Sequence, residues 1–253
     1  MSTGGRMHAD PGYRPWFVPD WDVPAPVRVL ITTRRGGVSV APFDAFNLGA
    51  ACGDDPHAVG ENRARLRGAL PAEPRWLKQV HGTLVADAER VGAPLEADAA
   101  CTRVPRVVCA VLTADCLPLL LCNADGSMVA AVHAGWRGLS GGVIEAAVRR
   151  FDPPHAQLRA YLGPAISARA YEVGEDVHQA FTARGAEDAA AFAAKGSGKY
   201  WCDLYHLARL HLARAGITRV SGGEFCTYSD PARFYSYRRD GRTGRTAALI
   251  WMA

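Results

Sequence analysis

Three side chains in this sequence combine types suited to chemistry: His81 in KQVHG, Cys116 in TADCLPLLL and His133 in AAVHAGWRG. Cys116 and His133 sit at the ends of two consecutive apolar runs, inside the stretch Val107 to Gly138 that organises the chain. Two histidines and a cysteine form a donor set that holds a metal with one position left open, as catalytic zinc requires. A Cys/His pair without metal can act as nucleophile and base, and the same donors also suit copper. Spacing alone leaves the three chemistries open.

His133 is followed by Ala-Gly-Trp-Arg-Gly, a sharp strand-to-helix turn whose glycines let backbone approach a ligand. Free N–H groups at the helix start, and the fork of Arg137, would suit an oxyanion there. Arg34 and Arg35 stand beside the paired glycines of RGGVS and offer a second anion contact, with an exposed hairpin as the equal alternative. Arg63 lies on a helix from which it could point into a site, although a solvated helical arginine is commoner. A full multi-copper oxidase cluster is not visible, because the eight histidines are scattered with no His-x-His pair.

The elements that must position these residues can be read from periodicity. Val27 to Thr33 predicts a strand, and Asp54 or Asp55 caps a helix that starts at Pro56 and runs through HAVGENRARLRGAL. Arg75 to His81 predicts a strand ending at His81, with Thr83 to Ala88 as its continuation or partner. Four short apolar runs follow: Ala97 to Thr102, Val107 to Thr113, Leu117 to Cys122 and Met128 to His133. Their near-continuous hydrophobicity predicts strands covered on both faces. Consecutive strands are often neighbours, which would bring Cys116 and His133 together. Pro118 marks a strand entry or edge, so Cys116 falls in a turn where a thiolate is accessible, whereas Cys109 and Cys122 lie inside apolar runs. Trp136 to Phe151 turns helical in its second half, Leu158 to Gly163 returns to strand, and Glu172 to Ala183 and Asp203 to Ala215 are helices. Arg219 to Thr227 and Ala247 to Trp251 are candidate strands. Between them Tyr235 and Tyr237 alternate along a strand, one packing inward, and Asp240-Gly241 makes a turn.

At 253 residues, 49% apolar and 21% charged, the chain is long enough for a substantial core and excludes disordered and fibrous classes. We expect a lead-in segment at residues 1–26 and a single layered α+β domain at 27–253, a mixed β-sheet covered by helices. A net charge of +4 from scattered arginines favours small anions and gives no basic block for nucleic acid. No apolar run is long enough to span a bilayer and no signal peptide opens the chain, so a cytoplasmic protein with no membrane partner is expected. Seven cysteines in no framework spacing read as reduced thiols, with Cys52, Cys101, Cys109, Cys122 and Cys202 as small core residues. A monomer is favoured, although the sequence leaves the oligomeric state open.

Taken together with RGGVS, NLG, YLGPAIS and FYSYRRDGRTGR, the three site segments resemble the YfiH/laccase-domain family, in order from about Thr33 to the C-terminus. The resemblance implies a YfiH-like α+β fold and a zinc ion, with copper as the alternative, on His81, Cys116 and His133. It implies phosphorolysis of adenosine, inosine and S-methyl-5′-thioadenosine, together with adenosine deamination. Copper-dependent polyphenol oxidation, or editing of peptidoglycan precursors by the Cys/His centre, are the alternatives the family carries. The partners would then be purine nucleosides and phosphate. Arg34, Arg63 and Arg137 are the candidates to hold phosphate. Asn47, Asp98 and Asp115 are weaker candidates for sugar or base, since aspartates also serve turns and caps.

Overall fold

The computed structural model describes residues 15–90 and 95–253. Residues 1–14 of the expected lead-in lie outside the described residues. From Trp16 onward the chain forms β1 (Trp16–Phe17), β2 (Val27–Thr32), α1 (Pro56–Arg67), β3 (Pro74–Arg75), β4 (Val85–Asp87), β5 (Ala99–Thr102), β6 (Val108–Thr113), β7 (Leu117–Cys122) and β8 (Val129–Ala134). It continues with α2 (Trp136–Gly141), α3 (Val143–Val148), β9 (Arg159–Leu162), β10 (Glu172–Gly174), α4 (Glu175–Thr182), β11 (Phe192–Gly196), β12 (Lys199–Cys202), α5 (Leu204–Arg214), β13 (Arg219–Gly222), α6 (Tyr237–Asp240) and β14 (Thr246–Met252).

Two mixed sheets carry the fold. One has the order β1-β2-β14-β6-β3 and the other β13-β9-β7-β8-β5-β4, while β10, β12 and β11 form a small third sheet. The inner faces of the two large sheets meet through Val29, Ile31, Val111 and Ile250 on one side and Leu120, Cys122, Val129 and Ala131 on the other. Because side chains alternate along a strand, Leu117, Leu119 and Leu121 point the opposite way, onto Ile144, Ala147, Leu204 and Leu207 of α3 and α5. The outer face of the first sheet is closed by Phe46, Leu48, and Leu66 of α1. Both faces of β7 are therefore dry, which explains a leucine run with no polar alternation. Each leucine so buried stabilises the fold by about 1.5–3 kcal/mol.

The chain crosses from one sheet to the other at 114–116, between β6 and β7. Antiparallel pairing of β7 with β8 sets Pro118 opposite His133, and pairing of β5 with β8 sets Ala99 opposite Val132. Cys116, His133 and Asp98 are thus brought to one end of the six-stranded sheet by register alone. Among the described residues, no helix is long and apolar enough to cross a membrane.

Several expected elements differ in extent. The strand expected from Arg75 to His81 stops at Arg75, because at Gln79 a side-chain amide replaces the ladder: it accepts from Leu112 N at 2.7 Å and donates to Leu112 O at 2.8 Å. Helix starts at Trp136 itself, and Gly142, at φ 99°, breaks it before α3. Residues 172–174 pair with β12, so the expected helix begins at Glu175. The expected strand at 219–227 ends at Gly222, which has φ 78°. The hairpin of β11 and β12 turns on Gly196 and Gly198, in a segment with no apolar period to announce it. Ser236 accepts from Arg239 N and coils Tyr237–Asp240 into α6. Tyr235 is nonetheless fully buried and Tyr237 is 61% exposed, the inward and outward pair expected of a strand.

Candidate metal centre and its cavity

One carboxylate organises both histidines. Asp98 is fully buried, and its side chain accepts from Val80 N (3.1 Å), His81 N (2.9 Å), Gly82 N (2.7 Å) and His133 Nδ1 (2.8 Å). Its carbonyl also takes His133 N at 2.7 Å. Collecting three consecutive amides wraps the 80–82 backbone around the carboxylate and holds His81 at φ 61°, a conformation that a β-substituted residue rarely adopts. Burial alone would raise the Asp98 pKa, but the bonds from His133 and these amides outweigh it and hold the group below the usual carboxylate range.

With Nδ1 committed to Asp98, His133 presents its other ring nitrogen to Cys116 and His81. The donor atoms of His81, Cys116 and His133 all lie within 4.8 Å of one another, with Cys116 Sγ 3.8 Å from His81 Nε2. The rings of the two histidines stand edge to face at 4.9 Å. A tetrahedral zinc ion needs ligand atoms about 3.3–3.6 Å apart, so a small contraction of this triangle accommodates it and leaves a fourth position open. The donors present fit the metal the family implies. Gly135 must be glycine here: a Cβ would lie 2.9 Å from Cys116 Sγ and 3.0 Å from His81 Cδ2.

The electrostatics are those of a thiolate beside an imidazolium. Burial would push the Cys116 thiol up, yet hydrogen bonds and charge from His133 and His81 bring it down to about 6. Burial would depress His133, yet Asp98 and Cys116 raise it to about 9. Cys101, Cys109, Cys122 and Cys202 go the opposite way, raised by desolvation, as expected of core thiols. In chelator-treated protein, alkylation of Cys116 by iodoacetamide should therefore be fully developed at pH 7 and fall as pH drops through about 6. A midpoint near 8.5, the ordinary thiol value, would contradict the ion pair.

The triangle opens into a cavity of about 760 Å³. Trp76, Trp136, Tyr171 and Tyr237 offer aromatic surface, and Arg63, Arg137, Arg238 and Arg245 offer charge. Of the phosphate, sugar and base candidates read from the sequence, Arg63, Arg137 and Asp115 line it, whereas Arg34, Asn47 and Asp98 do not. Arg34 lies outside the lining, with its guanidinium held by Asp44 and the Pro231 carbonyl. Asn47 is fully buried beneath the wall, tying Gly49, Asp54 and Arg245 together through side-chain bonds. Asp115, at φ 85°, accepts from Thr227 Oγ1 and Arg238 N, which anchors α6 beside Cys116. Cys52, expected in the core, is half-buried in the cavity wall. Tyr171, Arg238 and Arg245 escaped the sequence reading; the last two were visible only as members of the arginine-rich FYSYRRDGRTGR.

A family model described as multi-copper polyphenol oxidoreductase laccase matches residues 28–253. Purine nucleoside phosphorylase PA4543 of Pseudomonas aeruginosa is 54% identical over 240 residues, which cover 94% of this chain and 98% of that protein. Purine nucleoside phosphorylase YfiH of Escherichia coli is 50% identical over 241 residues, covering 93% and 98%. The crystal structure of Neisseria meningitidis protein NMB0706 superposes with a TM-score of 0.92 at 49% identity, covering 94% of this chain and 99% of that one. With the family model spanning nearly all of it and relatives aligned almost end to end, this chain belongs to the YfiH/laccase-domain family.

Proposed function

We propose that this chain is a zinc-dependent purine nucleoside phosphorylase, acting on adenosine, inosine and S-methyl-5′-thioadenosine, with adenosine deaminase activity, and that residues 27–253 form its single domain. The observation that carries the reading is a two-histidine, one-cysteine triangle opening into a cavity lined by arginines and aromatic rings. Relatives at 54% and 50% identity bear the phosphorylase name. The seven free thiols agree with a reducing, cytoplasmic setting.

His81, Cys116 and His133 would hold the zinc, and when bound it supplies Lewis acidity at its open position. In phosphorolysis, an oxygen of phosphate forms a bond to the anomeric carbon of the sugar as the bond to the purine nitrogen breaks, and the base leaves with a proton. Arg137 is suited to hold the phosphate: its guanidinium rests 4.4 Å over the Trp136 ring, it is exposed to the cavity, and it forms no ion pair among the described residues. Its fork can grip two oxygens at once. Tyr171 and Tyr237 offer ring surface for the purine.

Metal-replete protein given adenosine and phosphate should release adenine together with ribose 1-phosphate, and release ammonia in the deaminase reaction. Chelation should stop both and zinc restore them. Absence of turnover in metal-replete protein would end this reading. The low Cys116 pKa favours one alternative, a hydrolase acting on peptidoglycan precursors through a thiolate nucleophile, whose activity would survive chelation. Among the described residues the triangle is the one group spaced to hold a metal, so an oxidase reading would have to run on a single copper.

A further inference from the structure

The cavity has a second charged end. Arg63 and Arg245 line it together, flanking the backbone of Leu48 and Gly49. Arg63 Nε and Nη2 both donate to Leu48 O, at 3.0 and 2.8 Å, with the guanidinium 4.4 Å over the Trp76 ring. Arg245 O accepts from Leu48 N at 3.2 Å, and its side-chain stem fills the space beside Gly49, where a Cβ would meet Cγ at 2.7 Å. Arg245 Nη1 donates to Thr243 O and Gly244 O. Among the described residues, Arg63 Nη1 and Arg245 Nε and Nη2 are left for another acceptor. Neither arginine forms an ion pair among the described residues.

Two half-buried cations with no carboxylate in ion-pair contact among the described residues are costly to keep, because the charge of Glu73 offsets the desolvation of Arg63 only in part. Burial accordingly pulls the Arg63 pKa down. An anionic ligand would supply the missing charge. This end is distinct from the one at Arg137, since Arg63 and Arg137 are stacked on different indoles. The two ends also hang from different sheets. Arg245 immediately precedes β14, where Thr246 pairs with Thr113 of the five-stranded sheet, whereas Arg137 lies in the helix that follows β8 of the six-stranded sheet.

We infer that Arg63 and Arg245 form a second anion subsite for the phosphate monoester of a nucleoside 5′-monophosphate, extending the substrate class from nucleosides to nucleotides. This rests on the proposed nucleoside reading for what lies between the two ends. The attacking phosphate is spent at the anomeric carbon, so an anion held at the far end belongs to a remote part of the substrate. In a ribonucleoside that position is the 5′ carbon. The bond from anomeric carbon to purine nitrogen breaks, a bond to phosphate oxygen forms, the base leaves with a proton, and the 5′-phosphate passes through unchanged, giving ribose 1,5-bisphosphate.

Calorimetric titration of the zinc-loaded full chain with AMP, adenosine and inorganic phosphate, each alone, tests the subsite. AMP should bind at least about tenfold more tightly than adenosine, as expected for a charge-assisted bidentate contact. In Arg245→Gln that ratio should fall to near one, and Arg63→Lys, which keeps the charge but loses the fork, should lower it partway. Thermal melts of both variants separate loss of the subsite from loss of the fold. A wild-type ratio near one overturns the inference, as does a ratio that survives both variants or is lost only in Arg137→Gln. If Arg245→Gln weakens inorganic phosphate but leaves the ratio untouched, the subsite serves free phosphate and the nucleotide proposal falls. Adenosine turnover without an AMP preference removes the subsite alone. An AMP preference in a protein that turns over no nucleoside keeps the subsite and ends the phosphorylase reading.

Discussion

Asp98→Asn, although nearly isosteric, is expected to destabilise the metal-free protein by about 4 kcal/mol and to weaken zinc binding by about 10–100-fold. The reason lies in how four donors share two oxygens. Oδ1 accepts from His81 N and His133 Nδ1, and Oδ2 from Val80 N and Gly82 N. Whichever oxygen becomes an NH₂ group, two N–H donors, part-buried at 80–82 and fully buried at His133, then face a third donor. Each loss costs about 1–3 kcal/mol, and the charge that held His133 protonated is gone as well. Because a domain of this kind has only about 5–15 kcal/mol of net stability, the variant should remain folded but marginal. Chemical denaturation of the chelated protein reads the first effect, and competition against a chelating indicator reads the second. A loss below about 1 kcal/mol with unchanged zinc affinity would mean that the 80–82 loop holds its shape without this carboxylate.

The same residue shows where sequence reading reached and where it stopped. The apolar runs of β6, β7 and β8 are legible because both faces of those strands are covered, which leaves a pattern dominated by leucine, valine and alanine. The meeting of Cys116 and His133 followed from strand adjacency, and register bears it out. The spacing predicts His81 at a strand end, yet it lies in a loop folded around Asp98, and no local period encodes a backbone whose hydrogen bonds go to a distant side chain. In the sequence Asp98 reads as a turn or capping residue. Its capping role is real, but the capped amides lie 16–18 positions earlier in the chain. Arg34 reads as well as Arg137 does, since each follows a predicted strand next to glycine. What separates them is Asp44, whose side chain and carbonyl occupy Arg34, while among the described residues Arg137 meets no carboxylate. Tertiary partners of that kind leave no mark on spacing.

Cys116→Ala should abolish the proposed phosphorolysis, by about a thousandfold or more, corresponding to about 4 kcal/mol of transition-state stabilisation lost with the metal. The thiol is the donor that fixes the triangle: it sits on the crossover between the sheets, held by Asp115 at φ 85° on one side and by the start of β7 on the other. Alanine leaves two histidines 4.9 Å apart, a poor site for zinc. Cys116→Ser distinguishes the readings further. A serine hydroxyl is a weak zinc ligand and does not ionise near pH 6, so under the zinc reading excess metal should recover part of the activity. Under the thiolate-nucleophile reading no concentration of metal should recover it, and wild-type protein should form a covalent adduct at Cys116 that persists after chelation. Measuring adenine release from the alanine and serine variants across a zinc titration, beside intact-mass analysis of the wild type after turnover, decides between a cysteine that holds an ion and one that attacks.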